Sequence, residues 1–150
     1  MKFLFDTNIL FHITKDQRSN LLQKINPEGN KVFISIATIA ELRSLSLQNN
    51  WNVRRLDIID LLLEEIVVVD INENLIDTYA QIDAYSQCRN PSFTTFPHKT
   101  PRNMGKNDLW IASTAALLGL TLITTDSDFD HLNNVFFDVR KIKPVELKVQ

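Results

Sequence analysis

A chain of 150 residues, 44% hydrophobic and 23% charged, has enough apolar material for one domain with a buried core. Its net charge of -2 excludes a protein that holds nucleic acid by overall charge, so such contact would need a local basic patch. The single cysteine, Cys88, excludes an internal disulfide; the apolar run from 109 to 123, split by Gly119, falls short of the ~20 residues of a membrane helix.

The N-terminal apolar stretch is interrupted by Asp6, and no small-residue cleavage site follows. This is not a signal-peptide pattern, and with one free thiol it leads to the expectation of a cytoplasmic protein. Cys88 has Arg89 beside it but no evident base, which fits an incidental thiol better than a nucleophile.

Short β-like runs alternate with longer helical ones. Residues 2–5 read as a first strand. Residues 10–13 and 18–25 look helical and are closed by the turn Pro27-Glu28-Gly29-Asn30. A second strand is expected at 32–34, with Ser35 as N-cap of a helix over 36–47. Residues 52–65 continue helically, with Val53, Leu56, Ile59 and Leu63 at three- and four-residue steps. The β-branched run 66–69 is a third strand and 73–87 another helix. Asn107 is expected to cap a helix ending at Leu118, with Gly119 as its stop. A fourth strand follows at 121–124 and a fifth at 135–139. Apolar strands spaced by helices imply an α/β fold with a central parallel sheet covered on both faces. Residues 1–150 are expected to form one domain.

The segment from 86 to about 106 breaks the pattern. It carries Pro91, Pro97 and Pro101 and reads as a long loop, a length that points to function or disorder. No acid occurs between Asp83 and Asp108. The same interval holds Arg89, His98, Lys99, Arg102 and Lys106, interleaved with Phe93 and Phe96. Cations attract phosphate and aromatic faces can stack on bases, so these seven residues are candidates for RNA contact. A solvated, mobile excursion would have the same composition.

Four carboxylates stand at the edges of apolar runs: Asp6, Glu41, Asp108 and Asp126. A charge beside a core is costly unless something pairs it. In parallel sheets ligands sit at the carboxyl ends of strands, where Asp6 and Asp126 are expected. Converging acids repel each other and raise their own pKa values unless a counter-charge is present. A hard cation such as Mg²⁺ or Mn²⁺ prefers oxygen ligands and assists attack on a phosphodiester. Thr7, Asn8 and Thr124 are candidates to orient water or a carboxylate, and Lys106 to touch phosphate. Each acid also has a plain structural role open to it. Asp6 can cap a helix, Glu41 can lie on a solvated face, Asp108 suits a helix start, and Asp126 and Asp128 suit a turn.

Other chemistries lack their residues. His12, His98 and His131 have no metal-ligand spacing, and three glycines leave no phosphate-cradling loop. No nucleophilic serine elbow occurs.

The segments Phe5-Asp6-Thr7-Asn8-Ile9-Leu10, Ile39-Ala40-Glu41-Leu42, Asn107-Asp108-Leu109-Trp110-Ile111-Ala112 and Thr124-Thr125-Asp126-Ser127-Asp128-Phe129 resemble the ordered acidic motifs of the PIN domain, in particular VapC-type toxins of bacterial toxin–antitoxin pairs. The resemblance runs through essentially the whole chain. It implies a Rossmann-like α/β/α sandwich and a Mg²⁺- or Mn²⁺-dependent endoribonuclease. By match of motif, Asp6, Glu41, Asp108 and Asp126 would form the acidic tetrad, with Asp6, Asp108 and Asp126 as metal ligands. Asp128 would be a fifth member or a substitute for Asp126; Thr7, Asn8 and Thr124 would support them. The resemblance also implies a homodimer and a cognate antitoxin. The basic stretch 86–105 is longer than the family's usual connection, which suggests a flap that helps select RNA.

Two rival readings remain at this level. A receiver-type phosphoacceptor domain shares the architecture and would use Asp70 after the third strand, with Lys143-Pro144 near the end. It lacks adjacent acids after the first strand. A catalytically inactive PIN-like binding module is the other, and the intact acids speak against it.

Overall fold

A computed structural model describes residues 1–16 and 20–148. Five parallel strands form one sheet in the order β3-β2-β1-β4-β5: β1 Lys2–Phe5, β2 Lys31–Ser35, β3 Val67–Val69, β4 Thr121–Thr124 and β5 Val139–Lys141. Strand β1 pairs with β2 on one side and β4 on the other, with Leu4 opposite Phe33 and Leu122. The chain thus winds outward in two directions from β1. The crevice between the carboxyl ends of β1 and β4 is the topological switch point, where open α/β sheets place their ligands.

Alternation along the strands divides the core. Phe3, Phe5, Val32, Ile34 and Ile123 face one side and pack with Ile9, Leu10, Ile13 and Leu42. Helices α1 Thr7–Lys15, α3 Ile36–Gln48 and α4 Val53–Glu65 cover that face. Leu4 and Leu122 face the other side, against Ile82, Tyr85, Ile111 and Ala115 of α5 Ile76–Ser86 and α6 Lys106–Leu118. The short α2, Asn20–Ile25, precedes β2; the helix start expected at Arg18 lies outside the described residues. The two-sided burial expected from the apolar strands is what the sheet has. Among the described residues, no helix is long and apolar enough to cross a membrane.

Capping explains several boundaries. The Ser35 hydroxyl accepts from Ala37 N at 3.1 Å and starts α3, and Asn52 accepts from Arg55 N and starts α4. Gly119 ends α6 in the left-handed region at φ 64°, a conformation a side chain would strain.

Three boundaries differ from expectation. Helix α6 is capped by Gly105, whose carbonyl accepts from Leu109 N, so Asn107 lies inside the first turn and is free to face a neighbouring helix. Residues 73–87 divide into a short 3-10 helix, Glu73–Leu75, followed by α5. The fifth strand is Val139–Lys141 rather than 135–139. Asn134 takes φ 61°, Phe137 is drawn into the core, and the Asn133 side chain accepts from Val139 N, so pairing begins later.

Candidate active site

Asp6 follows β1 at the switch point and is only 4% exposed. Its Oδ1 accepts from Thr7 N at 2.8 Å and its Oδ2 from the Thr124 hydroxyl at 2.7 Å. The helix-capping role and the site role therefore coincide in one carboxylate. Burial raises the Asp6 pKa, the two hydrogen bonds lower it, and the charge of Asp126 raises it further; the net shift is upward.

Helix α3 brings Glu41. Thr38, three residues earlier and fully buried, lies on the same helix face and meets the Thr7 hydroxyl at 3.3 Å. Glu41 is half-buried. Its pKa is raised first by burial and then by Asp6, against the opposing pull of the Thr7 and Asn107 side chains. Glu41 thus faces Asp6, Thr7 and Asn107.

Asp108 stands in the first turn of α6, where helix geometry favours a negative charge. Its surroundings oppose that preference. Burial, followed by the charges of Asp6, Asp126, Glu41 and Asp128, pushes its pKa up to about 7. Asp126 follows β4: its N–H donates to the Thr124 hydroxyl at 3.0 Å, and its Oδ1 accepts from Asp128 N at 2.9 Å, starting the 3-10 helix Ser127–Leu132.

Carboxylate oxygens of Asp108, Asp126 and Asp128 lie within 4.8 Å of one another. Asp108 and Asp126 are half-buried and Asp128 is exposed, so the triad opens to solvent. The donors are all oxygen and their mutual repulsion calls for a cation, which is the chemistry of a hard divalent metal site with room for retained waters. Asp6 stands behind this triad with both oxygens engaged by the protein. Asp128 stands beside Asp126 within this group. Asn8 is exposed at the start of α1. A cavity of about 490 Å³ between α2, α4 and the start of β2, lined by Leu22, Asn26, Leu62 and Ile66, contains none of these acids.

The basic loop is folded down onto α5. The buried Tyr85 ring lies 4.6 Å from Phe93, 5.3 Å from Phe96 and 5.4 Å from His98, centroid to centroid. Asn90, also buried, donates to the Gln81 carbonyl and side chain. Where the sequence suggests aromatic faces offered to bases, Phe93 and Phe96 are partly buried and pack against the core cluster, and His98 is 7% exposed. Arg89, Lys99, Arg102 and Lys106 remain exposed. Among the described residues the ion pairs are Arg43–Asp60 and Lys141–Asp130, which leaves those four cations unpaired with acid.

Sequence reasoning did not identify Thr38 or Asn107 as site residues. Thr38 carried a signal, a polar residue one turn before Glu41 among apolar neighbours. Asn107 stands directly before Asp108, at a position that in sequence equally suits a helix cap.

Known proteins resemble this chain in sequence and in fold. Over 126 residues the chain is 24% identical to Ribonuclease VapC2 of Haemophilus influenzae, covering 84% of this chain and 87% of that protein. The crystal structure of VapBC2 from Rickettsia felis bound to a DNA fragment from their promoter matches with a TM-score of 0.72 at 18% identity, over 94% of this chain and 98% of that one. A toxin–antitoxin complex from Klebsiella pneumoniae gives 0.64 at 18% identity, over 93% and 98%. At these identities the structural likeness speaks for the fold. Residues 3–135, from the first strand past the acid turn, match the PIN domain as a family, and with the acids of all four motifs gathered at one sheet end the chain belongs to the PIN domain family.

Proposed function

We propose that this protein is a divalent-metal-dependent endoribonuclease, using Mg²⁺ or Mn²⁺, and that it is the toxin of a type II toxin–antitoxin pair. The observation that carries the reading is the convergence of Asp108, Asp126 and Asp128 beside Asp6 and Glu41 at the sheet's switch point. The name of the similar Ribonuclease VapC2 supports the same activity.

Asp108, Asp126 and Asp128 would hold the cation, which supplies polarisation of a phosphoryl oxygen and a more acidic water when bound. Asp6 stands beside the triad, its carboxyl group fixed by Thr7 and Thr124. Glu41, half-buried and with a raised pKa, is suited to take a proton from the attacking water at its side-chain oxygen. Arg89, Lys99, Arg102 and Lys106 are exposed and suited to RNA phosphates, whereas Phe93, Phe96 and His98 support the loop from beneath. Exposed Leu47, Val53 and Leu61 on the α3–α4 hairpin offer apolar surface to a protein partner, in this reading a cognate antitoxin or a second copy in a homodimer.

The receiver reading is not favoured. Asp70 follows the edge strand β3, separated from β1 by β2, and stands apart from the acid triad. The inactive-module reading is not favoured either, because the acid set is complete.

The test is cleavage of total bacterial RNA with Mg²⁺ or Mn²⁺, with and without EDTA, beside Asp6→Asn and Asp108→Asn. Discrete fragments that vanish with EDTA and in both variants are expected. Cleavage that survives both variants would overturn the assignment.

A further inference from the structure

We propose that Ser86 and His131 form a latch holding the acid turn 126–128 in register with the start of α6, which makes His131 a positioning residue for the Asp108–Asp126–Asp128 site. The inference rests on reading that site as the metal centre of the nuclease.

Ser86 is the last residue of α5 and is fully buried. Its hydroxyl lies 2.8 Å from His131 Nε2 and 3.5 Å from Met104 Sδ. Its carbonyl accepts from Arg102 N at 2.7 Å and contacts His98 Nε2 at 3.2 Å. One residue therefore gathers the far end of the basic loop and the 3-10 helix Ser127–Leu132. Both lead directly to metal-site acids. Met104 precedes Gly105, the cap of the helix that carries Asp108. His131 is three residues beyond Asp128, whose backbone favours the charged form of the ring.

A neutral ring whose Nε2 accepts from the Ser86 hydroxyl carries its proton on Nδ1. Packing sets the ring plane: His131 lies parallel to Tyr85 at 6.4 Å and crosses His98 at 66° with centroids 5.0 Å apart. On the opposite side of the turn, Lys141 Nζ donates to Ser127 Oγ and Asp130 Oδ2. Because Asp126 caps Asp128 N, rotation of this turn would displace both carboxylates together. His131 holds the turn through its backbone and Ser86, which is how outer partners of a metal site act on the ligands.

The test uses the full chain with His131→Phe, which keeps ring volume without the hydrogen bonds, Ser86→Ala, and His131→Gln, whose carbonyl can still accept from Ser86. Mn²⁺ affinity is measured by calorimetry, kcat and KM on an RNA the wild type cuts, and hydrogen exchange over 98–104 and 126–132. Expected are Mn²⁺ binding weakened by about tenfold in His131→Phe and Ser86→Ala, lower kcat with KM within twofold, and recovery in His131→Gln. Exchange should rise in both segments together. Should His131→Phe fail to fold, Ser86→Ala carries the test. Folded variants with a lower Tm but wild-type Mn²⁺ affinity, kcat and exchange would reduce His131 to packing and overturn the latch. Wild-type Mn²⁺ affinity in Asp108→Asn would instead overturn the metal-site reading, and coupled or uncoupled exchange would still decide the latch.

Discussion

The Thr124 hydroxyl donates to Asp6 Oδ2 at 2.7 Å, tying the carboxyl ends of β4 and β1 together across 118 residues of sequence. Thr124 Oγ1 in turn accepts from Asp126 N at 3.0 Å, so one buried hydroxyl links the first acid to the last motif. Replacing Thr124 by the isosteric Val leaves Asp6 Oδ2 and Asp126 N without this partner. Burial without a partner costs about 1–3 kcal/mol, so urea unfolding should show a loss of that order in Thr124→Val. Thr124→Ser keeps the hydroxyl and should recover most of it. A Thr124→Val protein as stable as wild type would mean that Asp6 does not depend on this bond.

Asp108 makes stability depend on pH with a definite sign. Its pKa rises from 3.8 to about 7, first through burial and then through the neighbouring acids. Between those values the folded chain holds a proton that the unfolded chain has released, so stability falls as pH rises through the window. Asp6 and Glu41 are shifted in the same direction and add to the effect. His131 opposes it. Burial, then His98 and Arg102, lower its pKa from 6.5 to about 4, so its contribution improves as pH rises across that interval. Comparing wild type with Asp108→Asn isolates the carboxylate. Without metal, Asp108→Asn should be the more stable protein above pH 7 by about 1–2 kcal/mol after solvent screening, with the gap closing near pH 4. Thermal unfolding across pH measures this, and a gap independent of pH would refute it.

Metal addition should reverse that order. A cation bound by the folded triad stabilises it by mass action and removes the repulsion. Mg²⁺ or Mn²⁺ should therefore raise the wild-type Tm near neutral pH, have less effect near pH 4, where Asp108 is protonated, and leave Asp108→Asn nearly unmoved. Equal shifts in both proteins would place the binding elsewhere.

Asp6 and Asp126 were readable in the sequence because each follows an apolar strand, and in a parallel sheet the carboxyl ends of the strands fall at one end, whereas Asp108 stands at a helix start and Glu41 within an apolar helix pattern. Ser35 and Gly119 were readable as helix punctuation for local reasons. What was not readable depended on distant partners. Phe136 and Phe137 look like strand residues, yet the core recruits them and the left-handed Asn134 delays pairing. Phe93, Phe96 and His98 sit in a proline-rich, basic stretch whose composition suggests exposure; Tyr85 decides otherwise. Thr38 acquires its role only through Thr7, 31 residues away.

The basic loop should accordingly show two separable kinds of residue. Alanine at Arg89, Lys99 and Arg102 should weaken RNA binding and flatten its salt dependence, because each cation lost from a phosphate releases fewer counterions. Unfolding free energy should change by less than about 0.5 kcal/mol. Phe93→Ala should do the reverse, destabilising the fold by about 3 kcal/mol through a cavity beside Tyr85, with the salt slope unchanged. Fluorescence anisotropy with a short RNA across salt concentrations, paired with urea unfolding, distinguishes them. A Phe93→Ala protein of normal stability that loses RNA binding would restore the stacking role.

Asn107 offers a test of Glu41 as the proton acceptor. Its side chain and that of Thr7 pull the Glu41 pKa down, against burial and the charge of Asp6, which raise it. Removing the amide in Asn107→Ala should therefore raise the Glu41 pKa further. An acceptor must be unprotonated to work, so the acidic limb of kcat/KM should move to higher pH in Asn107→Ala. Activity should be lost mainly on the acidic side and approach wild type as the pH rises above the new limb. Glu41→Gln should abolish the limb along with most of the activity. A uniform loss at every pH in Asn107→Ala would mean that the amide shapes the groove without tuning Glu41, and a limb that stays in place would show that another group controls it.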